Sequence, residues 1–217
     1  EGWSCSFACA EESIVALPAL ENAGHHLALL PRKEADNPEA LRTRWPKGFD
    51  LLVVDHYDLD VAFEAACRGW TEQILVLDDL ADRTHDCDFL LDSALGRESD
   101  DYSSLVPKSC RLLLGPSFAL LRPEFESARR PAMRRRENSN GLSSILLGFG
   151  ASDGRNLTPA TLKAIAQSKL DIGVDIVLGA AARNRDEVAA LLTEMPFSAR
   201  LYIDVNDMAD LMCAADL

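Results

Sequence analysis

The sequence of 217 residues lacks any long hydrophobic run. Its longest aliphatic stretches, such as Leu51–Val54 and Leu112–Leu114, are far shorter than the about 20 residues needed to cross a bilayer. It is also poor in positive charge, with 22 Lys plus Arg against 35 Asp plus Glu and a formal net charge of -13. Such an excess of carboxylates repels phosphates over most of the surface. We therefore expect a soluble cytoplasmic protein with no secretory leader, no membrane partner and no nucleic-acid partner.

The sequence also lacks a C-x-x-C pair and any metal-finger spacing, which argues against a zinc finger or a thioredoxin-like site. In a cytoplasmic protein, cysteines are expected as reduced thiols that mostly fill space in the core, and disulfides are the alternative. The six cysteines are Cys5, Cys9, Cys67, Cys87, Cys110 and Cys213.

Short apolar runs alternate with helical patterns along the whole chain, which is typical of βαβ units with a parallel sheet. The predicted strands are Cys5–Cys9, His26–Leu30, Leu51–Val54, Ile74–Leu77, Phe89–Leu91, Arg111–Leu114, Ser144–Gly148, Asp175–Leu178 and Arg200–Ile203. The predicted helices are Glu12–Ala23, Val61–Cys67, Pro159–Gln167 with Thr158 as its N-cap, Asp186–Thr193 and Asn206–Ala214. The pattern predicts an α/β protein made of two consecutive units.

One segment interrupts the alternation. Arg129–Asn140 contains five arginines and Pro131, and its apolar residues show no periodicity. We interpret this segment as a linker or exposed loop, and a phosphate or nucleic-acid patch is the alternative. The predicted organisation is an N-terminal domain over 1–125, a linker over 126–142 and a C-terminal domain over 143–217.

Polar residues collect where the predicted strands end, which is where parallel sheets bind ligands. Asp55, His56 and Tyr57 follow one strand of the first unit and combine a carboxylate, an imidazole and a phenol. Such a set is suited to positioning or activating water. The alternative is that His56 caps backbone groups and Tyr57 packs at the strand end.

Small residues follow two strands of the second unit, in the segment Gly150–Gly154 and at Gly179. They let backbone N–H groups approach a diphosphate beside a helix N-terminus. The segment matches neither a Walker A motif nor a G-x-G-x-x-G fingerprint, so a plain tight turn is the alternative.

Acidic residues and histidines elsewhere suggest no metal centre. The histidines His25 and His26 are expected on the surface or at a sheet edge. The aspartates between two predicted strands fit neither an EF-hand loop nor a zinc pattern, so capping and turn roles are expected and a cation site is the alternative. They are Asp78, Asp79, Asp82, Asp86 and Asp88.

Three stretches of the first unit together resemble the UDP-sugar hydrolases of pseudaminic-acid synthesis, the PseG family. They read VVDHYDLD (Val53–Asp60), LDDLADRTHDCDFLLD (Leu77–Asp92) and DYSSLVPKSCRLLLGPSFALLRPEF (Asp101–Phe125). In the second unit, GFGASDGRNLT (Gly148–Thr158) resembles the Gly-Gly-x-Asp-x-x-Asn-Leu loop of the family, and Tyr202–Leu217 resembles the segment before its donor-binding region. The related spore-coat polysaccharide proteins share much of this pattern.

The resemblance implies a two-domain GT-B fold of the MurG type. It also implies hydrolysis, in which water replaces UDP at the anomeric carbon of UDP-2,4-diacetamido-2,4,6-trideoxy-β-L-altrose with inversion and without metal or other cofactor. The expected partner is the UDP-sugar substrate, and a monomer is expected.

By resemblance, Tyr57 lies beside the sugar and the attacking water, with Asp55 and His56 at the same strand end. The residues that match the UDP-facing loop are Gly150, Ala151, Ser152, Asp153 and Asn156, with Gly179 added from its strand end.

The sequence also departs from the family pattern. Ala151 replaces the second glycine of the loop, and no residue matches the Gly-x-Gly-His-x-x-Arg loop whose histidine is the expected base. The chain stops before the loop and glutamate that hold the uridine. We therefore expect a fragment that lacks the first βα unit and the end of the second domain, with no hydrolysis by these residues alone. The alternatives are a glycosyltransferase on the same fold and a receiver-like or nucleotide-sugar-sensing domain.

Overall fold

The computed structural model describes residues 2–11, 20, 24–139, 141–150 and 152–217. The chain forms two compact units that divide between Leu120 and Leu121. The helix predicted over Glu12–Ala23 falls almost wholly outside the described residues. Within the described ranges, no helix is long and apolar enough to span a membrane.

The first unit contains two parallel sheets. Strands β1 (Ser6–Ala10) and β2 (His26–Leu30) pair with each other. The second sheet has the order β3-β4-β5-β6 and consists of Phe49–Val54, Thr71–Leu77, Phe89–Asp92 and Arg111–Leu114. The helices are α1 (Arg32–Ala35), α2 (Pro38–Arg44) and α3 (Val61–Cys67), with 3-10 turns at Ser99–Tyr102 and Pro116–Phe118.

Local capping explains where α2 and α3 begin. The Asn37 side chain accepts hydrogen bonds from the N–H groups of Glu39 and Ala40, and Pro38 occupies the first helical position. Asp60 caps α3 in the same way through the N–H of Ala62. Sequence analysis missed α1 and α2, although the pair Asn37-Pro38 is a start signal for α2.

The core of the first unit lies on the four-stranded sheet. Apolar side chains that are almost fully buried come from three of its strands and from α3. They include Val54, Phe63, Cys67, Ile74, Val76 and Leu90. The aliphatic run of β3 predicted a strand buried on both faces, but Leu51 and Val53 are exposed, so β3 buries one face. The chain enters β3 through Gly48, whose φ is +72° and where a Cβ would lie 1.9 Å from the Trp70 carbonyl oxygen. Only glycine fits this turn.

The second unit has one parallel sheet of order β7-β8-β9, formed by Ser144–Leu147, Gly173–Leu178 and Ala199–Ile203. Its helices are α4 (Pro123–Glu137), α5 (Leu157–Ser168), α6 (Arg185–Leu192) and α7 (Met208–Ala214). The buried core includes Ile145, Leu147, Leu162, Val174, Ile176, Leu178 and Val188.

The segment 126–142, predicted as a linker or exposed loop, is helical for most of its length in α4. Its polarity and Pro131 suggested a break, but Pro123 occupies the first turn and the charges of its ends suit the helix dipole. The arginine run also has a structural partner in its own unit. The Arg135 guanidinium donates to the Cys213 carbonyl at 2.8 Å and pairs with Asp216 at 2.7 Å. The exact domain limits remain a prediction.

Candidate functional site

The loop after β3 carries the predicted catalytic residues Asp55, His56 and Tyr57. Asp55 is exposed at the strand end. The Tyr57 side chain is also exposed, and its hydroxyl donates a hydrogen bond to Asp79 Oδ2 at 3.3 Å. The charge of Asp79, and then this hydrogen bond, raise the pKa of Tyr57 above its ordinary value. The phenol is therefore held protonated beside a carboxylate at the carboxyl ends of β3 and β4.

His56 has a structural partner on each side of its ring. Its Nδ1 accepts the backbone N–H of Asp58 at 3.0 Å, so the neutral ring carries its proton on Nε2. That Nε2 lies 3.9 Å from Asp36 Oδ1. These contacts favour the alternative in which His56 caps backbone groups of the Tyr57 loop.

Behind the loop lies a buried cluster that sequence analysis did not identify as a unit. The Tyr102 hydroxyl lies 2.9 Å from Asp78 Oδ2 and 2.8 Å from Asp92 Oδ2, and all three side chains are buried. Arg97 pairs with Asp92 and also donates to the Asp79 carbonyl at 2.7 Å. Burial alone would raise the pKa of Asp78, but bonds from Ala81 N–H and Tyr102, with the charge of Arg83, hold it below its usual range.

The five aspartates of this region pair with donors of the protein. The Arg68 guanidinium donates from Nη2 to Asp86 Oδ1 at 3.0 Å and from Nη1 to Asp88 Oδ2 at 2.7 Å. Asp82 Oδ1 lies 3.4 Å from Arg83 Nη1. In the part of the chain that the structure describes, no group of three or more His, Cys, Asp or Glu side chains could hold a metal ion.

The two early histidines lie away from these groups, in the β1–β2 sheet region. Both His25 and His26 are exposed, and the His25 ring lies 5.4 Å from the Phe7 ring, centroid to centroid. His26 begins β2, where its N–H donates to the Cys5 carbonyl at 3.2 Å. These positions are those of surface histidines.

In the second unit, the predicted UDP-facing loop follows β7. Gly150 has a φ of +79°, and Asp153 and Asn156 have φ values of 42° and 53°. Asp and Asn tolerate this left-handed region better than other non-glycine residues. The loop residue Ala151 lies outside the described residues. The loop therefore turns sharply three times before α5 begins.

Asp153 fixes this loop from the inside. Its side chain is buried and accepts hydrogen bonds from the N–H groups of Leu157 at 2.8 Å and Thr158 at 3.1 Å. Burial would raise the pKa of Asp153, but its bonds to the residues that open α5 and to Asn184 hold it below its usual value. The predicted N-cap Thr158 is wrong, because Asn156 occupies that position and Thr158 is the second helical residue.

Consequently, few backbone N–H groups at the N-terminus of α5 remain free to bind a phosphate. Asp153 takes its first two N–H groups, and the third residue, Pro159, has none. A carboxylate of the protein already neutralises the positive end of this helix. The N–H groups of Leu157 and Thr158 are therefore not available to a diphosphate.

A second loop, between β8 and α6, braces the first. The Asn184 amide donates to Asp153 Oδ2 and to Asn156 Oδ1, each at 2.7 Å. This loop begins at Gly179, whose carbonyl accepts the Ala182 N–H at 3.1 Å. Sequence analysis identified Gly179 but missed Asn184. The one signal in the sequence that could have identified Asn184 is its position in the loop after β8.

Comparison with known proteins shows what the chain is similar to. No protein-family model matches the chain. The UDP-2,4-diacetamido-2,4,6-trideoxy-β-L-altropyranose hydrolase of Campylobacter jejuni is 28% identical over 165 residues, which cover 76% of this chain and 56% of that protein. An uncharacterized protein of Methanocaldococcus jannaschii is 25% identical over 189 residues, which cover 85% of this chain and 39% of that protein. The chain thus spans about half the length of the curated relatives it matches.

Among solved structures, MurG of Acinetobacter baumannii superposes with a TM-score of 0.54. The match covers 92% of this chain and 59% of the MurG chain at 11% sequence identity, so it supports a shared fold and nothing beyond it. The fold class, Rossmann-like α/β units of the GT-B type, is confirmed. The sequence resemblance to the PseG UDP-sugar hydrolase is confirmed as well.

Proposed function

We propose that the protein is a hydrolase that splits a UDP-activated diacetamido-trideoxy sugar into UDP and the free sugar for nonulosonate (pseudaminic acid) synthesis. The observation that carries the proposal is the similarity to the Campylobacter jejuni hydrolase over 76% of the chain. The arrangement of Tyr57 and Asp79 supports it, because it supplies an oriented phenol at the strand ends where such folds bind ligands.

In this reaction, a water oxygen forms a bond to the anomeric carbon while the bond from that carbon to the β-phosphate oxygen breaks. UDP leaves with the electron pair, and the water proton passes to a base. The Tyr57 hydroxyl directs its proton at Asp79, at 3.3 Å, so an oxygen lone pair can accept a hydrogen bond from the water. Orientation of this kind is the main contribution that a reaction with a good leaving group requires.

The nucleotide side is proposed on the second unit. Since Asp153 is buried and bonded within the unit, its contribution is the shape of the loop rather than direct contact with UDP. The backbone N–H groups around Gly150 and Ser152 are the proposed diphosphate donors. No metal takes part in this proposal.

Product analysis in ¹⁸O-labelled water tests the proposal on the protein as its gene encodes it. The expected result is release of UDP and free sugar without an acceptor, with ¹⁸O in the sugar and none in UDP. Label in the UDP phosphate would indicate P–O cleavage and contradict the mechanism. UDP release that requires a second sugar or lipid acceptor would instead identify a glycosyltransferase.

Replacement of Tyr57 by Phe tests the role of the phenol. Turnover should fall by about 100-fold if the hydroxyl acts on the transition state, while UDP affinity stays unchanged because the proposed nucleotide groups lie on the other unit. Tyr202→Phe is the matched control, because Tyr202 lies on β9 of the second unit. Equal losses in both variants would contradict the assignment of Tyr57.

A further inference from the structure

Arg83 links the loop after β3 to the buried carboxylate cluster. Its side chain is only 15% exposed, and its Nη1 lies 2.8 Å from Asp78 Oδ1, whose side chain is fully buried. The same guanidinium donates from Nε to the Leu59 carbonyl at 3.2 Å and from Nη2 to the His56 carbonyl at 3.3 Å. One planar group therefore donates hydrogen bonds to two carbonyls of the Tyr57 loop and forms an ion pair with a buried carboxylate outside that loop.

The anchor of this link is buried and hydrogen-bonded on one oxygen. Asp78 Oδ2 accepts the Tyr102 hydroxyl at 2.9 Å and the Ala81 N–H at 3.0 Å, whereas Oδ1 forms an ion pair with Arg83 and accepts no hydrogen bond within the described residues. The two carbonyls that Arg83 holds bracket Tyr57 in sequence. A guanidinium presents donors in several fixed directions, whereas a lysine ammonium is a single point charge on a flexible stem. Arginine therefore suits this position better than lysine.

Tyr57 depends on this backbone support. Its side chain is 64% exposed, so packing does little to hold the ring. Its hydrogen bond to Asp79, at 3.3 Å, is long enough that a small shift of the loop would break it. We propose that Arg83 is the positioning residue that sets the Tyr57 hydroxyl for the reaction, an inference that rests on the function proposed above.

The first test measures the pKa of Tyr57 by NMR with ¹³C-labelled tyrosine, which requires no activity. Arg83→Lys keeps the positive charge but loses the planar set of N–H donors of the guanidinium. The Tyr57–Asp79 contact should then loosen, and the pKa of Tyr57 should fall toward its ordinary value of 10.0. Asp79→Asn gives the reference value without the neighbouring carboxylate.

Arg68→Lys is the matched control. Arg68 is another partly buried arginine that pairs with two aspartates, Asp86 and Asp88, but it donates to no residue of the Tyr57 loop among the described contacts. A merely structural effect would act alike in both variants. An unchanged Tyr57 pKa in folded Arg83→Lys, or an equal fall in Arg68→Lys, would overturn the inference.

The second test measures kinetics with the protein as its gene encodes it. Arg83→Lys should lower kcat by about 10- to 100-fold with little change in KM, because the group it positions acts in the transition state. Arg68→Lys should leave kcat within about twofold of the parent value at matched stability. If the unmodified protein shows no UDP-sugar hydrolysis, the proposed function fails, and the Tyr57 pKa still decides whether Arg83 positions the phenol.

Discussion

The Asn184 side-chain amide donates a hydrogen bond to the Asp153 carboxylate at 2.7 Å, across 31 positions of sequence. The bond joins the loops that follow β7 and β8, so the shape of the proposed diphosphate loop depends on the loop beside it. Asp153 in turn caps α5, and the loop, its brace and the helix start therefore form one cooperative structure.

Asp153→Ala should destabilise the second unit. The variant loses a helix cap, which costs about 1–2 kcal/mol, and places a non-polar residue at a φ of 42°. Asp153→Asn keeps an acceptor and a residue type that tolerates this φ, so a smaller loss is expected. All three tryptophans lie before residue 71, so amide hydrogen exchange of α5 is the suitable measurement. Equal protection of α5 in the parent and the Ala variant would contradict the capping role.

Tyr102→Phe should destabilise the first unit by about 1–3 kcal/mol, because two buried carboxylates lose a shared donor. The hydroxyl lies within 3 Å of both Asp78 and Asp92. Urea unfolding followed by tryptophan fluorescence reports on this unit through Trp45 and Trp70. Tyr202→Phe should leave that transition in place. An unchanged urea midpoint in Tyr102→Phe would show that the cluster does not need the hydroxyl.

Asp216 should make the second unit sensitive to acid. Bonds from the Ser143 N–H and hydroxyl, with the Arg135 guanidinium, hold the pKa of Asp216 well below its usual range. Since the folded state lowers this pKa, its stabilisation is complete above the unfolded value of 3.8 and is lost as the pH falls through the folded value. Asp216→Asn should therefore flatten the dependence of stability on pH below pH 4, measured by circular dichroism. Asp210→Asn, which changes an exposed carboxylate of α7, is the control and should leave the dependence of stability on pH as it is in the parent. If the Asp216→Asn variant also matches the parent, the prediction is wrong.

The cysteines should differ sharply in reactivity. Cys67 is fully buried, and this burial raises its pKa to about 11, whereas Cys5 is exposed. Only the thiolate reacts with iodoacetamide, so at pH 8 Cys5 should be alkylated first and Cys67 only after unfolding. Mass spectrometry of timed samples measures both rates. Modification of Cys67 at the rate of Cys5 in the folded protein would contradict the burial.

The sequence by itself determined the elements that rely on local pattern. Helix α3 and strand β6 have the predicted bounds, Val61–Cys67 and Arg111–Leu114. A short strand of a parallel sheet is favoured by a continuous aliphatic run, and a short amphipathic helix needs a cap and periodic apolar residues. Both signals lie within a few consecutive residues. The candidate strand ends at Tyr57 and Gly150 followed from the same signals, because ligand groups in parallel sheets follow the strands.

Only the tertiary structure decided how those strand ends are built. Helix α4 has a polar sequence with an internal proline, and the contacts of its Arg135 with Cys213 and Asp216 lie 78 and 81 positions away. The partners of Tyr57 and Asp153 lie 22 and 31 positions away, at Asp79 and Asn184. Such bonds depend on which loops the sheet order makes neighbours, and no local pattern encodes that order. The same pairing converts Asp153 from an apparent ligand residue into a buried cap, because a carboxylate that is taken out of water must find its donors within the protein.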